Sequence, residues 1–208
     1  MNLELENNKV FLQGEVVSEP SLNHLVKDEE FYGFDLRIDR LSGQADIIPI
    51  IISKKLLQIN NIKLGDNVAL KGQFRSHNKI DEDKRKLVLA VFVKEVCEWE
   101  HGVNANVIEL TGYICKPSIY RTTPFAREIC DLLLAVNRNY NKSDYIPCIA
   151  WGTNAQYVSR LEVATPLKIV GRVQSREYNK NVDGEMLTKM AYEVSISKII
   201  DEKNDPEV

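Results

Sequence analysis

The chain contains the pattern Asp-x-Ile-Pro-x-Ile twice, starting at Asp46 and again at Asp144. Both copies lie in apolar, β-rich runs, and the elements predicted around them follow the same order. A repeat of this kind indicates two domains of one fold, and 208 residues suit two domains of about 100 residues each. We therefore predict one domain over residues 1–100 and a second over 106–208, joined by the polar stretch 98–106.

The repeated pattern predicts a β-strand in each half, and successive side chains of a strand point to opposite faces of its sheet. In the second copy the inward residues are Ile146, Cys148 and Ala150, and the outward residues are Tyr145, Ile149 and Trp151. In the first copy the inward residues are Ile48, Ile50 and Ile52, while Ile47 and Ser53 take the places of the two rings. The second copy therefore presents outward rings that the first copy lacks.

Each half predicts five strands, with one short helix between the third and the fourth. In the first half the strands are expected at 10–16, 31–38, 46–53, 68–75 and 87–96, with a helix over 54–59 that Ser53 is suited to cap. The stretches 21–30 and 81–86 are predicted as polar connections. The second half repeats this order from Val107, with its helix over 153–161. This is the order of the OB-fold, so we predict an all-β protein with one short helix per repeat, built as two tandem five-stranded OB-fold barrels.

Composition excludes several classes of protein. A hydrophobic fraction of 44% with 27% charged residues is typical of a globular protein. No apolar run approaches the roughly 20 residues needed to cross a bilayer. The N-terminus carries Glu4 and Glu6 where a secretory signal would be basic. We therefore expect no membrane association and a cytoplasmic location.

The four cysteines are predicted to be small, reduced core residues. Cys97, Cys115, Cys130 and Cys148 lie singly along the chain, and the sequence has only three histidines. A zinc site normally needs closely paired ligands, so we expect neither a metal nor a cofactor. The net charge of −3 neither supports nor excludes nucleic acid, because the distribution of charge over the surface decides binding.

Four stretches of the second half, 107–112, 134–140, 144–151 and 171–178, resemble the bacterial single-stranded DNA-binding proteins. In that family four aromatic positions form a platform on which DNA bases stack. The resemblance places Tyr140, Tyr145, Trp151 and Tyr178 at those positions. The first half resembles the family more faintly, and its corresponding residues are Ser42, Ile47, Ser53 and Lys79. None of these is aromatic, so the resemblance implies a divergent first domain with a ring-free face.

The fourth strand of the second half supports the same function on physical grounds. Proteins that hold single strands without sequence preference combine a basic groove with rings for base stacking. Alternation places Lys168, Arg172, Gln174, Arg176 and Tyr178 outward. The predicted single-stranded DNA-binding residues are Arg138, Tyr140, Tyr145, Trp151, Lys168, Arg172, Arg176 and Tyr178. In the first domain, weak backbone contacts are expected from Arg40, Lys71, Arg75 and His77. The alternative for the cations of its fourth strand is a plain solvated face.

We expect a sequence-independent single-stranded DNA-binding protein that acts in replication, recombination or repair. The residues do not distinguish DNA from RNA as the ligand. The alternative is an OB-fold assembly protein that binds a replication or conjugation partner through its first domain. Catalysis is not expected, because Glu109, Asp131 and Asp144 are scattered and no glycine-rich phosphate loop occurs.

The resemblance also implies an assembly of four barrels, which a chain with two barrels reaches as a homodimer. Outward-facing Ile47 and Ile51 are expected to bury against another barrel, because exposed apolar patches usually mark contacts. Trp99, in the linker, is expected to pack between the two barrels. The acidic stretch 201–208 is expected to be a solvated end in place of the family's long acidic tail with an aromatic terminus.

Overall fold

The computed structural model describes residues 6–81, 84–182 and 185–200. For residues 79–81, 84–86, 180–182 and 185 it describes the backbone alone. The predictions made for the acidic start of the chain at Glu4 and for the stretch 201–208 lie outside the described residues.

Both halves follow the same order of elements. The first half consists of β1 (Asn8–Val16), β2 (Ser21–Val26), β3 (Glu29–Asp39), β4 (Ala45–Ser53), α1 (Lys54–Ile59), β5 (Asn67–Asp81) and β6 (Lys84–Cys97). The second half consists of β7 (Asn106–Ile114), β8 (Ile119–Thr122), β9 (Glu128–Arg138), β10 (Lys142–Trp151), α2 (Thr153–Val158), β11 (Pro166–Val182) and β12 (Glu185–Ile200).

The five strands and single helix predicted for each half are confirmed, with two differences. Each half has a sixth, short strand, β2 or β8, which pairs with the strand that follows it. Sequence reasoning treated 21–30 as a polar connection because exposed β2 has no buried face to produce an alternating pattern. The fourth and fifth strands also run further than predicted, since Asn67–Asp81 and Lys84–Cys97 extend into the expected loop at 81–86.

Each barrel closes because its first strand bends and pairs on both sides. Near its end, Glu15 of β1 pairs with Arg37 of β3, while most of β1 pairs with β5. Gly14 permits this close approach, since a Cβ atom there would lie 2.3 Å from the carbonyl oxygen of Arg37. A short parallel pairing between β4 and β6 completes the first barrel, and β10 and β12 do the same in the second.

The inward residues predicted from alternation form the core. Ile48, Ile50 and Ile52 are fully buried, as are Ile146 and Ala150, and Cys148 is almost fully buried. Burying a side chain of this size contributes about 1.5 to 3 kcal/mol, so the repeated motif is a main source of stability in both barrels. The capped helix is also confirmed, because the Ser53 hydroxyl accepts the amide N–H of Leu56. The second helix ends at Val158 rather than at 161.

The two barrels share one continuous sheet. Strand β1 pairs antiparallel with β7, with Val10 opposite Ile108. Residues 98–105 cross between the barrels, and buried Gln13 holds this linker by exchanging hydrogen bonds with the backbone of Glu100 at 2.7 and 3.0 Å. Trp99 is 41% exposed, and its packing between the barrels stays a prediction. The backbone pairing of β1 with β7 joins the barrels directly.

Among the described residues, no helix has the length and apolar character required to cross a membrane.

Candidate nucleic-acid interface

The four rings predicted as a stacking platform are all exposed. The exposed fraction is 82% for Tyr140, 45% for Tyr145, 36% for Trp151 and 37% for Tyr178. Tyr145 and Trp151 lie on β10, six residues apart, which corresponds to about 20 Å of strand. Tyr178 lies on β11 in the long β11–β12 hairpin, opposite Lys189. Each ring therefore has surface available for stacking.

Tyr140 lies at the tip of the β9–β10 hairpin in a conformation that is uncommon for an aromatic residue. Its φ is 63° and that of Asn141 is 54°, both in the left-handed region. The hairpin closes with Arg138 opposite Lys142, so the turn projects the Tyr140 ring from the end of the two strands. Such conformations are costly and concentrate at functional sites.

Trp151 joins two parts of the second barrel. Its indole Nε1 donates a hydrogen bond of 3.1 Å to the Ser195 hydroxyl, which fixes the plane of the ring. Ser195 lies on β12 and pairs with Arg172 of β11, so the indole lies close to the strand that carries the predicted DNA-binding cations. An open cleft of about 560 Å³ adjoins Trp151 and is also lined by Arg127 and Glu128. Arg127 was not predicted, because it lies in a turn without periodicity.

The cations of β11 lie in a network with a carboxylate that sequence reasoning missed. Glu193 of β12 is 8% exposed and accepts a hydrogen bond from Gln174 at 2.7 Å. Arg176 Nε lies 3.7 Å from the same carboxylate, and Arg172 donates to Gln174 at 3.3 Å. Gln174 is buried, so the outward position that alternation predicts for it is not exposed to solvent. Its burial results from a cross-strand partner that a single strand's alternation does not reveal.

Two further cations flank this network. Lys168 is half-buried on β11, four residues before Arg172. At this position β11 pairs with Thr111 of β7 on one side and with Ile200 of β12 on the other. Arg121, on the unpredicted strand β8, donates to Asp131 at 2.7 Å. This hydrogen bond raises the pKa of the Arg121 guanidinium, and Glu193 adds a smaller favourable interaction. The outward face of the second barrel therefore carries more cations than its sequence pattern indicated.

Arg138 does not extend freely toward solvent. Its Nε lies 3.3 Å from Oδ2 of Asp144, whose side chain is 1% exposed. Burial raises the pKa of the Asp144 carboxyl, and this effect outweighs the opposing contributions of the Ser76 amide and Arg138. In the first barrel, Arg40 forms the equivalent ion pair with buried Asp46. The aspartate that opens each copy of the repeated motif thus anchors an arginine of its own barrel.

The same aspartates also bind across to the other barrel. Asp144 Oδ1 accepts the amide N–H of Ser76 at 2.7 Å, and the Ser76 hydroxyl accepts the amide N–H of Tyr145 at 2.7 Å. The equivalent pair is present with the barrels exchanged. Asp46 Oδ1 accepts the amide N–H of Ser175 at 2.8 Å, and the Ser175 hydroxyl accepts the amide N–H of Ile47 at 3.0 Å. We call these two sets of bonds the Ser76 latch and the Ser175 latch.

A basic cleft of about 450 Å³ opens between the barrels beside the Ser76 latch. Its cationic walls come from Arg75 of the first barrel and from Arg138 and Lys142 of the second, and Tyr140 lies at its side. Burial lowers the pKa of the Arg75 guanidinium, and nearby Arg138 lowers it further. Cations held this close together favour an anionic ligand such as a phosphate group.

The outward face of the first barrel contains rings at positions other than those the family resemblance compares. Phe31 and Phe92 have centroids 5.2 Å apart, and the His24 ring stacks on Phe31 at 5.0 Å. The guanidinium of Arg75 lies 4.4 Å above the centre of Phe92. Phe31 is 7% exposed, so the protein's own side chains cover this ring. The positions implied by the resemblance, including Ser42, Ile47 and Ser53, lack rings as predicted.

These rings also account for one of the two outward isoleucines. Ile51 is buried against Phe31, Ala90 and Phe92 of its own barrel, so the prediction that another barrel covers it is wrong. Ile47 is half-buried, and its backbone belongs to the Ser175 latch.

The remaining first-barrel cations are dispersed. Lys71 lies 3.9 Å from Glu95 of β6, in an exposed pair. The Arg75 guanidinium lies over the Phe92 ring and also donates a hydrogen bond to the Gln73 side chain. His77 is exposed on β5, one residue beyond Ser76. Arg40 forms an ion pair with Asp46. The four predicted first-barrel residues therefore do not form one continuous basic surface.

All four cysteines are free thiols, and Cys130 and Cys148 are buried as expected. Cys97 and Cys115 are only partly buried, so the prediction that all four are core residues is wrong for these two. Burial raises the pKa of the Cys148 thiol, which keeps it protonated and unreactive. Within the described residues there is no group of three or more histidine, cysteine or acidic side chains that could hold a metal ion.

The profile of the single-strand binding protein family matches residues 105–200, which contain the second barrel. The chain is 34% identical over 87 residues to single-stranded DNA-binding protein 1 of Clostridium acetobutylicum, covering 38% of this chain and 78% of that protein. It is 30% identical over 89 residues to single-stranded DNA-binding protein 3 of Streptococcus agalactiae, covering 39% of this chain and 64% of that protein.

Over its full length the fold is similar to that of the single-stranded DNA-binding protein from Thermus aquaticus. The TM-score to the wild-type crystal structure is 0.70 at 19% identity, covering 99% of this chain and 96% of that chain. The match to the Streptococcus agalactiae protein, by contrast, spans less than two thirds of that relative, and the match to protein 1 of Staphylococcus aureus spans 51% of it. The chain belongs to the single-strand binding protein family, which is a family of binding proteins rather than enzymes.

Proposed function

We propose that this chain binds single-stranded DNA without sequence preference, and that its second barrel, residues 106–208, supplies most of the affinity. The observation that carries the proposal is the exposure of four rings, Tyr140, Tyr145, Trp151 and Tyr178, on one barrel beside Arg172 and Arg176. Exposed rings stack on bases of any identity, while the guanidinium groups contact the phosphates. Similarity to proteins named single-stranded DNA-binding proteins supports the same ligand.

In this proposal the bound strand follows β10 and then crosses the basic cleft beside Tyr140. Arg138 and Lys142 line that cleft from the second barrel and Arg75 from the first. The first barrel, residues 1–100, contributes contacts to the DNA backbone rather than stacking, because its own side chains already cover Phe31. The process served is replication, recombination or repair in the cytoplasm, and RNA is a second ligand to be compared with DNA.

We also propose that the chain forms a homodimer with four barrels. A groove of about 420 Å³ lies over the junction of β1 and β7, where Phe11 pairs with Val107. Its rim carries charges of both signs, contributed by Glu6, Lys9, Lys71, Lys94, Glu95 and Glu109. A surface with mixed charges around an apolar centre can be complementary to itself under two-fold symmetry.

A second candidate function is the binding of a protein partner through the first barrel. Strand β2 supports it, because Leu22 is 54% exposed, Leu25 61% and Val26 49%. Exposed apolar residues clustered on one strand are typical of a docking surface.

Tryptophan fluorescence during a titration with oligo-dT separates the two candidates, because stacking on Trp151 quenches its emission. Binding of single-stranded DNA predicts saturable quenching, with weaker binding to a duplex of the same length. An RNA oligonucleotide of equal length measures the preference between the two nucleic acids. A chain that binds only a protein partner leaves the emission unchanged with every oligonucleotide.

A further inference from the structure

We infer that Ser76, a residue of the first barrel, positions the Tyr145 ring of the second barrel for stacking on a base. The inference rests on the proposed function and adds a role for the barrel that carries no platform ring. Ser76 lies on β5 and is 6% exposed, so it does not itself reach the DNA. It acts through hydrogen bonds to the backbone at the start of the repeated motif.

The Ser76 latch binds the edge of β10 at Tyr145 that faces away from β9 and has no strand partner at this residue. Tyr145 lies opposite Ala135 of β9, and β10 pairs with β12 only at Cys148 and Ile149. The amide N–H of Tyr145 donates instead to the Ser76 hydroxyl at 2.7 Å. Without that hydroxyl the N–H loses its partner, which allows this part of β10 to move.

Asp144 adds a second hydrogen bond between β10 and Ser76, next to the bond made by Tyr145. Its Oδ1 accepts the amide N–H of Ser76 at 2.7 Å, and its Oδ2 faces Arg138 Nε at 3.3 Å. Adjacent residues of β10 are therefore tied to one serine of β5. Two short bonds to consecutive residues restrict both translation and rotation of the backbone that bears the ring, which is the preorganisation that favours binding.

The Ser175 latch provides an internal comparison. It has the same bonds with the barrels exchanged, at 2.8 and 3.0 Å, but the residue whose N–H it holds is Ile47, which has no ring. The two latches should stabilise the contact between the barrels to a similar extent. Only the Ser76 latch should also influence stacking.

The experiment measures oligo-dT affinity of the full chain for Ser76→Ala, Ser175→Ala and Ser76→Thr, each also combined with Tyr145→Ala. Loss of one hydrogen bond corresponds to about a threefold to tenfold effect, so Ser76→Ala should weaken binding by that factor. Ser175→Ala should leave affinity within about twofold, since that latch touches no ring. Ser76→Thr keeps a hydroxyl and should restore most of the affinity.

The double variants distinguish positioning from general destabilisation. If Ser76 acts through Tyr145, Ser76→Ala has no further effect on affinity once Tyr145→Ala is present. Ser76→Cys, which keeps the side-chain volume but only a weak acceptor, replaces Ser76→Ala if that variant does not fold. Thermal unfolding of the two serine variants should shift to a similar extent.

The inference is overturned if Ser76→Ala binds like the parent, if Ser175→Ala weakens binding equally, or if the effect of Ser76→Ala persists in the Tyr145→Ala background. In each of these cases the proposed function stands, provided that the parent chain binds oligo-dT and that Tyr145→Ala binds it more weakly than the parent. A parent chain that does not bind oligo-dT overturns both.

Discussion

Val10 of β1 lies directly opposite Ile108 of β7, and the two residues occupy equivalent positions in their barrels. The pairing on either side is reciprocal, with Asn8 opposite Leu110 and Leu12 opposite Asn106. The two barrels are thus related by an approximate two-fold axis through this strand pair. The two latches follow the same two-fold symmetry, because the serine of each barrel binds the aspartate of the other barrel. One chain therefore contains a symmetric pair of barrels with unequal outer faces.

This symmetry leads to a prediction about assembly. We expect light scattering at micromolar concentration to give twice the chain mass of 23.8 kDa, because the groove over Phe11 and Val107 would be shared between two chains. Phe11→Glu should reduce the mass to that of one chain. Leu41→Glu, at an exposed position between β3 and β4, is the matched control. A parent chain that scatters as a monomer contradicts the four-barrel assembly and leaves DNA binding untouched.

Burial of Asp144 predicts a dependence of stability on pH. Because burial raises the pKa of its carboxyl above the ordinary value of 3.8, the folded state holds this proton more tightly than the unfolded state. The contribution of Asp144 to stability is therefore largest at low pH and declines as pH rises from 3.8 through the folded-state pKa.

Denaturant unfolding of the parent and of Asp144→Asn over that range isolates this contribution. Many groups titrate in the same range, so the difference between the two proteins is the informative quantity. We expect the parent to lose free energy of unfolding relative to the variant as pH rises. A difference that is constant with pH, or that grows in the opposite direction, would show that burial does not dominate at this carboxyl.

Much of the candidate site could be predicted from the sequence, because alternation along a strand determines which side chains face outward. That rule placed Tyr145 and Trp151 on the surface and Ile146 in the core. It could not identify partners from distant strands. Glu193 covers Gln174, and Phe31 with Phe92 covers Ile51, through cross-strand contacts that local periodicity does not contain.

The repeated motif is the clearest case of this limit. Its apolar positions were read correctly as a core strand, but its aspartate was not assigned a role. The role depends on Ser76 and Ser175, which lie on β5 and β11 of the opposite barrel. Only the packing of the two barrels brings these residues together, so a single copy of the motif carries no signal for the contact.

Salt dependence tests the contribution of the β11 cations. On a single strand the slope of log affinity against log salt is about −0.7 per phosphate neutralised, so Arg172→Gln or Arg176→Gln should each make the slope shallower by about that amount. The control is Arg37→Gln, which removes a cation paired with Asp39 in the first barrel. It should leave the slope unchanged. A flat slope for the parent protein would contradict phosphate contact altogether.

The affinity of ring variants for oligo-dT tests the central claim most directly, namely that the second barrel carries the stacking platform. Tyr145→Ala and Trp151→Ala should each weaken binding by about 1 to 3 kcal/mol, since each removes one base-stacking contact. The controls Ile47→Ala and Ser53→Ala alter the equivalent first-barrel positions and should change affinity by less than about 0.5 kcal/mol. Equal losses from the two pairs would contradict the assignment of the platform to the second barrel.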